Sequence, residues 1–332
     1  MSVLLIGAGP MAIAYGKVLN ALGVSWTAIG RGMASARKFE AETGRKPELG
    51  GFETRLASNP LQAETKVIVA LPVPALATTT KALIENGGRK ILVEKPAGLT
   101  TAEIADVVCA ASHSRAEVFV AYNRRFYASV SAAQTLIAED EGLTSFHMEF
   151  TERTDQVRAS GHDPRVLRNW LLANSSHVTD LAFYLAGDPV EASGLTEGAI
   201  DWHPNGAIFV GHGRTKGGAI FSWHADWNSV GQWGLDLRTR RRRLLMRPLE
   251  TLGVQERGNP VISQFPIDDE VDRRYKPGLY RQVEAFLSDD PAGRGLPTIA
   301  AHCNTAQAWM RAVRQPDPVL ELVAGESAQR KR

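Results

Sequence analysis

Two cysteines, Cys109 and Cys303, are all that this 332-residue chain contains. So few exclude a disulfide framework or a cysteine-built structural zinc, and both fall in segments that read as helices; a reduced, cytoplasmic setting fits. Long apolar runs are missing as well, none approaching the ~20 residues that a membrane-spanning helix needs. The run Val3–Ile6 starts a strand at once, so no signal peptide is expected. Excess charge of either sign is also absent. Lysine and arginine number 38 against 36 acids, a net charge of +2, which gives no reason to expect a nucleic-acid or membrane partner. The length passes the roughly 250–300 residues at which single cores stop growing, so two domains are expected.

What is present begins with glycine. Val3–Ile6 is the uninterrupted apolar run of a parallel strand buried on both faces. Gly7-Ala8-Gly9-Pro10-Met11-Ala12 follows, then a helical pattern through Leu22 that stops at Gly23. This order of strand, glycine turn and helix is the dinucleotide fingerprint, with Ala12 where Gly or Ala is accepted. Backbone N–H groups at such a helix start can hold a pyrophosphate. The second strand, Trp26–Ile29, ends in Gly30-Arg31-Gly32. An NAD site usually carries an acid about 20 residues past the glycines, and none occurs here. Arg31, with Ser35, Arg37 or Lys38 nearby, has the charge to pair with a 2′-phosphate. NADP(H) is therefore expected, with NAD(H) as the alternative.

The βα alternation continues. Val67–Leu71 is a strand ending in Pro72-Val73-Pro74, followed by helix Ala75–Asn86 and the Gly87-Gly88 stop. Ile91–Val93 is a buried strand closed by Glu94-Lys95-Pro96, which places a lysine on the ligand-binding edge of an open α/β sheet. Thr100-Thr101-Ala102-Glu103 is a capping box before Ile104, Val107, Val108 and Ala111. Val118–Ala121 is counted as a sixth strand, leading into Tyr122-Asn123-Arg124-Arg125-Phe126. Residues 1–122 thus read as a doubly wound parallel, dinucleotide-binding domain. Its candidate cofactor residues are Gly7, Ala8, Gly9, Pro10, Met11, Gly30, Arg31, Leu71, Pro72, Glu94, Lys95 and Pro96.

Residues 123–332 read differently. Phe146, Met148 and Phe150 alternate with His147, Glu149 and Thr151, the signature of a half-buried strand. Ala207–Val210, Ala219–Trp227 and Leu235–Arg238 behave alike, and the Lys216-Gly217-Gly218 turn suits an antiparallel sheet whose apolar face needs helices or another subunit as cover. Five of the seven tryptophans lie between Trp170 and Trp233; they serve as core or interface, or stack on sugar rings. Arg240–Arg243 reads as a solvated turn between strands, with a grip on a diphosphate as the alternative. Residues 325–332 read as a frayed tail.

In their order, Gly7, Gly9 and Ala12, then Glu94-Lys95-Pro96, then Asn123-Arg124-Arg125-Phe126, then Ser176-His177-Val178-Thr179-Asp180, the motifs resemble the glucose-fructose oxidoreductase, inositol dehydrogenase and rhizopine-catabolism family (Gfo/Idh/MocA). The resemblance spans residue 3 to about 310. It implies an α/β protein: a Rossmann domain, then an α/β domain with a large, mainly antiparallel open sheet that commonly builds homodimers or homotetramers. It implies that Lys95 and His177 flank the substrate carbon that exchanges hydride with nicotinamide, one shuttling the hydroxyl proton and the other orienting the oxygen. Asn123, Arg124, Arg125, Trp170, Asn174, Asp180 and Tyr280 are the further substrate candidates, with Lys276 and Arg281 beside Tyr280. His177, Asp180 and Tyr184 share one face of a helix, so Asp180 is placed to orient the imidazole. No metal is expected. One departure stands out: four residues before the histidine, where that family often has aspartate, this chain has Ala173. Asn169, Asn174 and Ser175 can replace hydrogen bonds there but not a carboxylate. The activity implied is hydride transfer with a sugar, cyclitol or nucleotide sugar, with surface-glycan sugar synthesis as one setting. A redox-neutral enzyme with a retained cofactor and a non-catalytic dinucleotide-sensing regulator are the alternatives.

Overall fold

A computed structural model describes residues 2–58, 61–62 and 64–314, so the tail read at 325–332 lies outside the described residues. Apolar runs of four or five residues form β1 (Ser2–Ile6), β2 (Ser25–Ile29), β3 (Lys66–Val69), β4 (Lys90–Glu94) and β5 (Glu117–Ala121). They pair in parallel in the order β2-β1-β3-β4-β5. Between them run α1 (Pro10–Ala21), α2 (Met33–Thr43), α3 (Gly51–Ser58), α4 (Val73–Glu85) and α5 (Thr101–Ser114). The start of α5 is capped as its sequence predicts: the Thr100 hydroxyl accepts from the Glu103 N–H, and the Glu103 carboxylate accepts from the Leu99 N–H.

The strand at Val118–Ala121 is the fifth, not the sixth. Between β2 and β3 the described residues form two helices and a single parallel bridge, Ile29 to Glu48. Pro47, just before that bridge, has no N–H with which to extend a ladder.

The chain divides into two compact units: residues to Ala128 with Asp268–Asn304, and Ser129–Ile267 with the segment from Thr305 on. The first unit is therefore not closed at residue 122, where the sequence puts a boundary. It takes back α10 (Glu270–Arg274), α11 (Leu279–Leu287) and the start of α12 (Ile299–Arg314), elements numbered after α6–α9 below. Leu279, Val283 and Phe286 of α11 share a core with Val3, Leu5, Tyr15, Ile68 and Leu92. Lys66 Nζ donates to the carbonyls of Phe286, Leu287 and Ser288, a cation placed at the negative end of α11. At the far edge, Thr298 bridges Phe119 antiparallel and the Val120 N–H donates to Pro297 O.

The second unit carries α6 (Ala128–Glu139), α7 (Thr154–Ala159), α8 (Pro164–Arg168) and α9 (Ser176–Ala186) with eight strands. These are β6 (Ser145–Phe150), β7 (Pro189–Glu197), β8 (Ile208–Thr215), β9 (Ile220–Asp226), β10 (Trp233–Arg238), β11 (Arg242–Met246), β12 (Gly253–Glu256) and β13 (Ser263–Gln264). The order is β13-β12-β11-β10-β6-β9-β8-β7, antiparallel except for the parallel pair β6–β9. Period-2 alternation holds along β6 and β9, which bury Phe146, Met148, Phe150, Phe221, Trp223 and Ala225. Helices cover this apolar layer: Phe183 of α9 packs on Phe146 and Phe221, and Trp309 of α12 on Phe150 and Trp223. The tryptophan cluster is accordingly core at Trp170, Trp202, Trp223 and Trp227, while Trp233 keeps an exposed edge. Opposite strand faces carry polar ladders, including Arg243 on Asp236 and Arg247 on Glu149. Arg240 and Arg241 are exposed in the β10–β11 turn, whereas Arg242 pairs with Glu139 and Glu256. Among the described residues, no helix is long and apolar enough to cross a membrane.

Candidate active site

The carboxyl ends of β1 to β5 gather the cofactor candidates of the first unit. In a 2-1-3-4-5 sheet the strand order reverses between β1 and β3, and ligands bind at that crevice. Gly7 follows β1 with φ at 129°, and its N–H donates to Ile29 O at 2.8 Å. A Cβ at Gly7 would stand 2.3 Å from Ala70 O, so only glycine fits between the two strand ends. Ala12 is fully buried against this turn. Gly9 caps α1 with extended backbone, Pro10 takes the first helical position, and the first turn holds no acid. A side chain at Gly9 would meet no atom within 4 Å. The first N–H groups of any helix lack partners within it, so this end is built to face an anion. Ala8 is buried, Met11 half-buried, and Leu71 and Pro72 lead into α4 just past β3.

Gly30 and Arg31 follow β2, and here the structure adds a residue. Arg31 pairs with Glu53 of α3 at 2.6 Å, both side chains mostly exposed. An acid thus does reach the end of β2, from a helix rather than from the position the fingerprint samples.

Lys95 lies at the end of β4, and the Lys95–Pro96 peptide is cis. The turn closes with the Ala97 N–H donating to Glu94 O, and His302 Nε2 sits 3.0 Å from Pro96 O. Behind the lysine, the fully buried Tyr15 donates its hydroxyl to Glu94 Oε1 at 2.7 Å and lies 3.3 Å from Gln282 Oε1. Enclosure of the Glu94 carboxyl raises its pKa, against the opposing pull of the Tyr15 hydrogen bond and the Lys95 and Lys276 charges. Burial, then the Glu94 charge, pushes the Tyr15 hydroxyl well above its usual range.

The other first-unit candidates are engaged with their own chain. Asn123 Nδ2 donates to Pro277 O, Arg125 to Gly295 O, and Arg281 pairs with Asp272. The Tyr280 ring lies 5.2 Å from that of Tyr275. Arg124 is half-buried in the same 3₁₀ turn, Asn123–Phe126.

In the second unit, a π-helical turn, Leu171–Ser175, runs straight into α9. His177 and Asp180 are buried in the first turns of α9, and Asn174 is half-buried. The His177 ring lies 6.0 Å from Trp233. Trp170 packs edge-on to Trp202 in the core. Sequence reasoning passes over one residue here: Glu152 is 7% exposed and its Oε1 accepts from Ser175 Oγ at 2.7 Å. The signal is present, since Glu152 continues the inward parity of Phe146, Met148 and Phe150.

The first unit thus has a dinucleotide-type crevice, and the second a histidine-bearing helix over a mixed sheet. No protein-family model and no curated protein matches the chain. Solved structures are similar. A UDP-N-acetylglucosamine 3-dehydrogenase from Acidithiobacillus ferrooxidans superposes with a TM-score of 0.71 over 95% of this chain and 97% of its own, at 16% identity. Levoglucosan dehydrogenase in complex with NADH gives 0.73 over 92% and 94%, at 17% identity. An oxidoreductase from Agrobacterium radiobacter in complex with NAD+, L-tartaric acid and magnesium gives 0.74 over 92% and 93%, at 13% identity. What is shared at these identities is the fold, that of Gfo/Idh/MocA-type oxidoreductases.

The Glu94 environment has a measurable consequence. A carboxyl held above the unfolded value of about 4.3 favours the fold while protonated, and that advantage fades as pH rises through the raised value. Glu94→Gln keeps an acceptor for Tyr15, so its Tm is expected to gain on wild type as pH goes from about 4 to 7. A difference that is flat or shrinks across that range would show that the enclosed carboxylate costs the fold nothing.

Proposed function

We propose that the protein is an NAD(P)(H)-linked oxidoreductase that moves a hydride between nicotinamide and a hydroxyl or carbonyl carbon of a sugar, cyclitol or nucleotide sugar. The observation that carries this reading is Lys95 on the carboxyl edge of the same sheet that holds the Gly7–Met11 turn. Similarity to a levoglucosan dehydrogenase and to a UDP-N-acetylglucosamine 3-dehydrogenase supports the carbohydrate class. Nicotinamide would supply the hydride acceptor or donor. In the oxidation direction the substrate hydroxyl loses its proton to Lys95 while His177 holds the oxygen, and in reduction Lys95 returns the proton. The backbone N–H groups of Met11 and Ala12 would bind the pyrophosphate.

Arg31 favours NADP(H), since a guanidinium can grip a 2′-phosphate bidentately. Its exposed pair with Glu53 is worth only about 0–1 kcal/mol, too little to keep it from a phosphate. Glu53 favours the second reading, NAD(H), because a carboxylate accepts from a ribose 2′-hydroxyl and repels a phosphate. A homodimer or homotetramer through the eight-stranded sheet belongs to the same proposal.

Reduced-nicotinamide absorbance, followed over a panel of sugars, cyclitols and nucleotide sugars, tests the class. Lys95→Ala is expected to lower kcat by about 100-fold, and a loss under about tenfold would remove its proton-carrying role. Arg31→Ala is expected to shift the NADP-to-NAD ratio of kcat/KM down by about tenfold and Glu53→Gln to shift it up; two unmoved ratios would exclude this pair from cofactor choice. Light scattering in solution should give two or four times the 36.1 kDa chain mass, and a monomer would end the assembly proposal.

A further inference from the structure

The turn that leads into His177 is built around a carboxylate supplied from elsewhere in the second unit. Glu152 follows β6 and is buried. Its Oε1 takes the Ser175 hydroxyl at 2.7 Å, and Asn174 Nδ2 lies 3.3 and 3.4 Å from the two carboxylate oxygens. Both donors belong to the π-helical turn Leu171–Ser175, in which Leu171, Leu172, Ala173 and Ser175 are buried. Burying a carboxylate is costly, and the two side-chain donors offset part of that cost.

The turn's geometry gives this contact its meaning. A π turn closes its hydrogen bond one residue later than an α turn, and each α-helical residue turns the chain by about 100°. The direction in which His177, two residues past Ser175, leaves the helix therefore depends on the turn remaining π. Such turns are rare, occur mostly as single turns within helices, and are frequent at functional sites.

We propose that Glu152 is a positioning residue: through Ser175 and Asn174 it clamps the π turn and so sets the orientation of the His177 imidazole beside Trp233. Its effect on turnover rests on the oxidoreductase reading above, whereas the clamp itself does not. Glu152→Ala removes the clamp, Glu152→Gln keeps its shape and an acceptor oxygen, and Ser175→Ala removes the short hydrogen bond.

Two readouts on the full chain test this. The first is the imidazole NMR signal of His177 in ¹³C-histidine-labelled protein without ligand, assigned with His177→Gln among the 8 histidines of the chain. Glu152→Ala and Ser175→Ala are expected to move that signal, and Glu152→Gln to move it less. The second is kinetics with whichever sugar the panel turns over. Glu152→Ala should lower kcat by about 100-fold with KM within about threefold, and Glu152→Gln should recover at least about tenfold of the loss. Adding Ser175→Ala to Glu152→Ala should cost nothing further, as for two members of one unit. A His177 signal unmoved in every variant, or a loss of Tm alone in Glu152→Ala, would overturn the clamp. If wild type turns over no sugar, the oxidoreductase reading falls and the NMR result alone decides the clamp.

Discussion

Val283 and Phe286 of α11 have no exposed surface, and they lie in one core with Val3, Leu5, Ile68 and Leu92 of the parallel sheet. Fully buried side chains of this size contribute about 1.5–3 kcal/mol each, so the sheet's own crossovers are not its whole cover. The same segment then determines what surrounds Lys95. Gln282 of α11 approaches the Tyr15 hydroxyl that binds Glu94, and His302 of α12 approaches the Pro96 carbonyl. The catalytic candidate is thus braced from behind and from its own turn by residues nearly two hundred positions or more away in the chain.

Glu94 and Glu152 each stand just where a strand gives out, Glu94 half-buried and Glu152 buried. Glu94 is held by a phenol and Glu152 by an alcohol and an amide. Hydrogen bonds from neutral donors leave such a group its charge or its acceptor strength, and fix where it points. Glu53 is the contrast. It sits on the surface, opposite an arginine that solvent and salt can release at little cost. Glu94 and Glu152 hold the hydroxyls of Tyr15 and Ser175, while Glu53 pairs with an exposed guanidinium.

The parallel unit was legible because its signals are local. Four-residue apolar runs, the glycine turn after β1 and the Thr100 cap each specify structure within a dozen residues, and the β6 and β9 alternation does the same for the mixed sheet. The count of six was a miscount, since only four strand-like runs precede Val118–Ala121. What stayed hidden involves distance along the chain. No periodicity shows that α11 belongs with β1, or that Glu53 meets Arg31. Ala173 leaves the turn before His177 without an acid of its own along the helix, whereas Glu152 comes from the end of a strand. Asn123 and Arg125, read as substrate candidates from a motif, turn out to bind backbone carbonyls of the returning segment.

The first unit's two-piece construction also bears on how the protein is made. Its core requires Leu279, Val283 and Phe286, so a ribosome that has delivered only the five parallel strands has delivered an incomplete hydrophobic layer. Domains usually fold as units, N-terminal first, during synthesis. Here the first unit cannot close until Asp268–Asn304 has been made, and the second still waits for the end of α12, whose Trp309 packs on Phe150 and Trp223. The eight-stranded sheet, encoded almost wholly between the two pieces, is complete as a strand set before the first unit can close. Nascent chains of this protein therefore pass through a stage in which all five parallel strands have been made but the residues that seal them have not.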